Sequence, residues 1–229
     1  MLYTSTRDNS IRVSAAQAIA QGISEEGGLF VPVELPHFDI EKIASMASMN
    51  YIDRAKTVLK EYLTDFTEEE LDYCVSGAYA AQKFSSPQIA PTVNVDGNKN
   101  ILELWHGPTC AFKDMALQLL PYLMTVSAKK TADGKTIVIL VATSGDTGKA
   151  ALEGFKNVDN TKILVFYPVD GVSPMQKLQM TTQEGENVAV CAINGNFDDA
   201  QSAVKSIFTN NDIKKELAKK NMMFSSANS

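Results

Sequence analysis

Cysteine, histidine, clustered positive charge and long apolar runs are all scarce in this chain of 229 residues, and each scarcity excludes a class of function. The three cysteines, Cys74, Cys110 and Cys191, are odd in number and far apart, which fits neither a disulfide framework nor a zinc-ligand spacing. Of the two histidines, His37 sits beside Pro36 in an expected loop and reads as exposed and idle. The net charge is −6, and no lysine- or arginine-rich run appears before Lys214-Lys215 and Lys219-Lys220, so non-specific binding to nucleic acid is not expected. Those two doublets read as the solvated face of a short polar helix. The longest strongly apolar run, Ile137 to Ala142, is far too short to span a bilayer. Arg7, Asp8 and Arg12 stand where a secretory signal would have its apolar stretch, so none is read there and a reducing cytoplasm is the expected setting. There is no internal repeat and no low-complexity segment.

What remains is an ordinary globular composition, 45% hydrophobic and 21% charged, with ample length for a core. Residues 1–90 read as a mostly helical N-terminal region. One helix is expected at about Ser14 to Gln21, followed by a turn and an extended piece at Glu26 to Pro32. A second helix carries the stripe Tyr51, Ala55, Val58, Leu59 and Tyr62. A third opens at Thr67 with Glu68-Glu69-Glu70 in its first turn and runs to about Phe84. From residue 91 the pattern changes. Thr92 to Val95 and Asn98 to Leu104 flank an Asp96-Gly97 turn and read as a hairpin or as two extended pieces. Strands at Thr136–Ala142, Lys162–Tyr167 and Asn187–Ile193 then alternate with helices at Asp146–Lys156 and Ser173–Thr182 and one or two helices over Phe197–Lys220, and a last strand begins at Met222. Apolar strands separated by amphipathic helices predict an α/β fold, a parallel sheet covered on both faces.

Two stretches carry the chemistry. The first runs from Trp105 to Gln118. An apolar, strand-like run ends at Leu104, Gly107-Pro108 makes a turn, and a helical pattern follows through Met115, Leu119, Leu120, Leu123 and Met124. Lys113 is thereby expected at the mouth of a strand-turn-helix unit, between Phe112 and Asp114. A helix N-terminus and an aromatic neighbour both favour the neutral amine that a nucleophile needs. An ordinary surface lysine beside a helix start fits the same pattern. His106 is a second-rank candidate for orienting the lysine loop.

The second stretch is Thr143-Ser144-Gly145-Asp146-Thr147-Gly148-Lys149, at the end of a strand and the start of a helix, where α/β sheets bind ligands. Ser144, Thr147 and the backbones of Gly145 and Gly148 are candidate donors to an anion. A P-loop is excluded, because Ala150 replaces its Ser/Thr and Thr143 stands at its first glycine. Asp146 as a simple helix cap is the plainer reading. Ser173-Pro174-Met175-Gln176-Lys177 also starts a helix after a strand; a contact to a phosphorylated substrate and a plain N-cap explain it equally well.

The run His106-Gly107-Pro108-Thr109, Ala111-Phe112-Lys113-Asp114, Ala116-Leu117-Gln118 resembles the cofactor-lysine segment of threonine synthases, pyridoxal-phosphate enzymes of the tryptophan synthase β-subunit fold. The phrase Gly27-Gly28-Leu29-Phe30-Val31-Pro32 is similar to their N-terminal region. The resemblance implies a three-layer fold of that type and a pyridoxal 5'-phosphate cofactor. It further implies conversion of O-phospho-L-homoserine and water into L-threonine and phosphate, the last step of threonine biosynthesis. Lys113 would carry the cofactor as a Schiff base and act as the catalytic residue, with Phe112 and Asp146 also at the cofactor. Asp146 would face the cofactor 3′-oxygen, a place where relatives of the fold often have Asn. Ser144, Gly145 and Thr147 would hold the substrate carboxylate. The expected partner is the small-molecule substrate, with no nucleic acid, no membrane and no metal; a homo-oligomer is left open.

Asn194-Gly195-Asn196-Phe197 resembles part of the family's phosphate-binding phrase, but Asp198 and Asp199 follow it, so a turn and N-cap are expected there instead. The closing Ser225-Ser226-Ala227-Asn228-Ser229 is similar to a phrase that in threonine synthases leads into a further half. The expectation is an N-terminal portion whose phosphate cup lies beyond residue 229. Such a portion should fold, expose an apolar edge at Met222 to Phe224, bind the cofactor weakly or not at all and make no threonine. A serine/threonine dehydratase-like enzyme of the same fold and a non-catalytic anion-binding module are the alternatives.

Overall fold

The computed structural model of the chain describes residues 1–227. Strand β1 (Tyr3–Ser5) pairs antiparallel with β2 (Phe30–Pro32) across helix α1 (Ala15–Gln21), and α2 (Ile40–Met46), α3 (Tyr51–Tyr62) and α4 (Glu68–Ala78) follow. Ser14 and Thr67 each form a capping box, with Gln17 and Glu70, which answers the orphan donors at the starts of α1 and α4. Strand β1 and helix α2 have no counterpart in the sequence-based reading, being too short to show a period. Helix α4 also stops six residues before Phe84. Tyr79 leaves the helix there (φ −109°, ψ 32°), packs edge-on to Tyr51 at 4.8 Å and donates its hydroxyl to the Met115 carbonyl at 2.7 Å.

The hairpin exists as β3 (Thr92–Asp96) and β4 (Lys99–Leu102), a separate ribbon exposed along its whole length. It ends at Leu102, so no strand leads directly into the Gly107-Pro108 turn. The helical pattern beyond Lys113 is two helices, α5 (Asp114–Leu117) and α6 (Leu120–Thr131). Pro121 accounts for the break: it has no N–H to give Leu117, four residues back, and its ring crowds that carbonyl.

The rest is a four-stranded parallel sheet. In chain order come β5 (Thr136–Ala142), α7 (Asp146–Phe155), β6 (Thr161–Pro168), α8 (Pro174–Thr181), β7 (Val188–Ile193), α9 (Phe197–Thr209), α10 (Asn211–Lys219) and β8 (Met222–Ser226). Side chains alternate between the faces. Ile137, Ile139 and Val141 of β5, with Ile163, Val165 and Tyr167 of β6, pack under Leu117, Met124, Phe155 and Met180. Leu140 and Ala142, with Leu164 and Phe166, pack under Ala200, Val204 and Phe208 of α9. A sheet buried on both faces is the predicted α/β architecture of three layers.

The strand order is β7-β6-β5-β8. The chain steps outward from β5 to β7 with α7 and α8 on one face, then returns past β5 to lay down β8, with α9 on the other face. The direction of winding reverses between β5 and β8. Strand β8 is not the bare apolar edge expected: Ser225 and Ser226 are buried, Phe224 packs against Phe208, and Ser225 Oγ donates to the Ile19 carbonyl at 3.3 Å, so α1 lies against its outer side. The N-terminal helices share their core with the α/β region, since Ala15, Ala16, Leu63, Phe66, Leu71 and Cys74 pack on Leu123 and Val126 of α6. Among the described residues no helix is long and apolar enough to cross a membrane.

Phe155 is fully buried where α7 meets β5 and β6. Phe155→Ala should lower the unfolding free energy by about 3–5 kcal/mol, read from chemical denaturation.

Candidate active site

The reversal of winding leaves a crevice at the carboxyl ends of the strands, because the chain departs from β5 and β8 in different directions. A cleft of about 590 Å³ lies there. Ala142, Thr143, Ser144 and Thr147 line it from the end of β5, Phe197 from beyond β7 and Ala227 from the end of β8. Lys113, Ala116 and Leu117 form the opposite wall with Leu119, Leu120 and Leu123. The structure thus unites Lys113 with Ser144 and Thr147, which lie more than thirty residues further along the sequence.

Lys113 is half-buried, with Nζ 5.2 Å from the centre of the Phe112 ring. Among the described residues it forms no ion pair, unlike Lys42 with Glu61 or Lys130 with Glu70. Phe112 itself is 57% exposed and does not line the cleft. Asp114 does more than begin a helix. It is completely buried, and its carboxylate accepts from the Thr109 N–H at 2.8 Å and from Thr109 Oγ1 at 2.7 Å. That brace closes the loop from Thr109 to Asp114, which carries Lys113. Gly107 lies against it so closely that a Cβ would come within 2.6 Å of Asp114 Cβ. His106 ties two segments together: Nδ1 bonds Ser85 Oγ at 2.9 Å, and Nε2 bonds Glu103 at 2.7 Å.

The β5–α7 loop is held from inside by Thr143. Its buried Oγ1 accepts from the N–H groups of Gly145 and Gly148, each at 2.9 Å. These two backbone groups, expected as anion donors, are therefore engaged within the loop; the side chains of Ser144 and Thr147 are what face the cleft. Gly145 is required by its own geometry, with φ at +147° and no room for a Cβ beneath Gln176. Asp146 is exposed and outside the cleft lining, its Oδ1 accepting from Gln176 Nε2 at 2.8 Å. The sequence-based reading missed Thr143 and Gln176, although a threonine two residues before a strand-end glycine is an ST-turn signal.

A family model described as the threonine synthase N terminus matches residues 2–79. The threonine synthase of Pseudomonas aeruginosa is 40% identical over 210 residues, covering 91% of this chain and 44% of its own. The crystal structure of pyridoxal-phosphate-bound threonine synthase from Brucella melitensis superposes with a TM-score of 0.85 at 37% identity, over 100% of this chain and 48% of that one. The Escherichia coli threonine synthase gives 0.86 at 34% identity, over 100% and 50%. This chain matches the N-terminal portion of threonine synthases. It spans about half the length of the curated relatives it matches.

Asn194 to Phe197 is the turn and cap its acids predict. Asn196 and Asp199 form a capping box on α9, and the Asn196 N–H donates to Asp199 Oδ2 at 2.8 Å. Phe197 nonetheless reaches the Lys113 cleft, a placement only the sheet order reveals. Ser173 is likewise a cap, accepting from the Gln176 N–H at 3.2 Å. The closing Asn228 and Ser229 lie outside the described residues.

Burial raises the Asp114 carboxyl above the usual aspartate range, against the opposing pull of its two Thr109 bonds. A raised carboxyl keeps its proton in the folded chain at pH values where the unfolded chain has lost it. Its stabilising share is complete below the ordinary aspartate value and disappears as pH rises through the raised one. Asp114→Asn, which can still bond Thr109, should remove that pH dependence from melting curves. Asp114→Ala, which strands the Thr109 donors, should cost on the order of 2 kcal/mol below the ordinary aspartate value, and the loss should shrink as pH rises through the raised one.

Proposed function

We propose that this chain supplies the cofactor lysine and the substrate-carboxylate loop of a threonine synthase, acting on O-phospho-L-homoserine and water to give L-threonine and phosphate. The observation that carries the reading is the cleft itself, where the Lys113 amine, without an ion pair among the described residues, faces two hydroxyls across the switch point of the sheet. Pyridoxal phosphate fits what lines it. Its ring needs apolar walls, which Ala116, Leu117, Leu120 and Phe197 offer, and its aldehyde needs an amine, which Lys113 alone among the lining residues provides. When bound, the cofactor supplies an electron sink for negative charge on substrate carbons.

Lys113 would hold the cofactor through Nζ, and the same nitrogen, when free, would move protons at the substrate Cα and Cβ. Ser144 Oγ and Thr147 Oγ1 donate to the substrate carboxylate, while Gly145 gives the loop its shape. Two helix starts border the crevice, and they differ. The first turn of α9 carries Asp198 and Asp199 and a full capping box, whereas the N-cap of α7, Gly145, offers no side-chain acceptor. With the Gly145 and Gly148 N–H groups held by Thr143, the Asp146 and Thr147 N–H groups at the start of α7 are the better neighbours for an anion. Phe112 and Asp146 flank the lining residues in sequence and are assigned to the edge of the cofactor. Three free cysteines suit a cytoplasmic setting.

Lys113→Ala in a full-length protein carrying this sequence should abolish threonine formation and phosphate release, since no other amine lines the cleft. Threonine production at a tenth of the normal rate would overturn the assignment, and 2-oxobutanoate as the product would make the protein a dehydratase instead. Asp146→Asn should leave the melting temperature within a few degrees and shift the absorbance of the bound cofactor; an unchanged spectrum would confine Asp146 to the helix start.

A further inference from the structure

We infer that Gln176 is a positioning residue for the Ser144–Thr147 loop, coupling the start of α8 to the start of α7 through one side-chain amide. Its Nε2 donates to Asp146 Oδ1 at 2.8 Å, and its Oε1 accepts from the Ser173 N–H at 3.1 Å. These partners leave the amide one orientation. A carboxylate only accepts and a backbone N–H only donates, so the reversed amide would set like against like on both sides. The amide also lies directly over Gly145, where a Cβ would stand 2.4 Å from its Cδ and Nε2. Gly145 is therefore gripped from two sides, by Gln176 and by Thr143 Oγ1.

Capping alone does not account for glutamine here. A capping box needs only an acceptor at the third helical position, and glutamate serves as well. The Nε2 donor is additional to the cap, and Asp146 receives it. Helix α7 has no side-chain cap of its own at Gly145, so the Gln176–Asp146 bond is the external tie on its first residue. The loop it steadies is the one proposed to hold the substrate carboxylate. The functional half of the inference rests on that reading, and the structural half does not.

Gln176→Glu separates the two roles, because it keeps the acceptor for Ser173 and sets a carboxylate against Asp146. Adding Asp146→Asn to the same chain restores a donor–acceptor pair with the direction reversed. Amide hydrogen exchange in the full chain reads the outcome. Gln176→Glu should speed exchange at Gly145 and Gly148 by about tenfold while leaving the Lys177 and Thr182 amides of α8 unchanged. The double variant should return both glycines to within about twofold of the wild type. Unchanged exchange in Gln176→Glu, an increase spread evenly over all amides, or no recovery in the double variant would each overturn the inference. In a full-length protein the Gln176→Glu variant should raise KM for O-phospho-L-homoserine more than it lowers kcat; the reverse would overturn the functional half. A wild type that makes no threonine, with the exchange pattern intact, would refute the proposed reaction and leave the Gln176 tie standing.

Discussion

Strand β5 is covered on both faces, and the rest of the structure depends on that burial. Ile137, Ile139 and Val141 point into one core and Leu140 and Ala142 into the other, so neither helical layer can detach without exposing one side of the strand. Because β6 and β8 pair with it on either edge, β5 is also where the winding of the chain reverses. The loop that leaves it at Thr143 has no choice but to enter the crevice. The position of the candidate site is thus a consequence of how the core closes.

Loops placed this way would be mobile without further support, and buried polar side chains provide it. Thr143 gathers two backbone donors inside the β5–α7 loop, and Asp114 gathers two donors of Thr109 before the lysine. An isolated buried carboxylate is costly, yet here both of its oxygens are satisfied, and the cost appears only as a raised affinity for protons. The same accounting explains the glycines. Gly107 stands where the Asp114 side chain comes too close for a Cβ, and Gly145 where Gln176 does.

The likeness to threonine synthases agrees with this division of labour. The family model covers the N-terminal helices, which hold no cleft residue, while structural similarity extends across the cleft-bearing sheet as well. The helices contribute through α6: they bury its far side at Leu123 and Val126, and α6 follows directly on α5 and the lysine. Stability in residues 1–79 is therefore linked to where Lys113 sits, though none of those residues lines the cleft.

From sequence alone, the alternation of apolar strands and amphipathic helices determined the parallel sheet, and strong caps determined where α1, α4, α8 and α9 begin, because both are local patterns set by backbone hydrogen bonding. The residues around Lys113 and Ser144 were legible for the same reason: turn glycines and hydroxyls stand in short, contiguous phrases. Strand β1 and helix α2 left too few residues for a period, and the single helix expected after Lys113 failed at Pro121. Tertiary structure decided the rest. Only the strand order β7-β6-β5-β8 brings Phe197 and Ala227 to the lysine, and only packing between α7 and α8 turns Asp146 toward Gln176 and away from the cleft lining. Contacts between residues thirty or more positions apart carry no signature in either segment, since each partner satisfies its local rules whether or not the other is there.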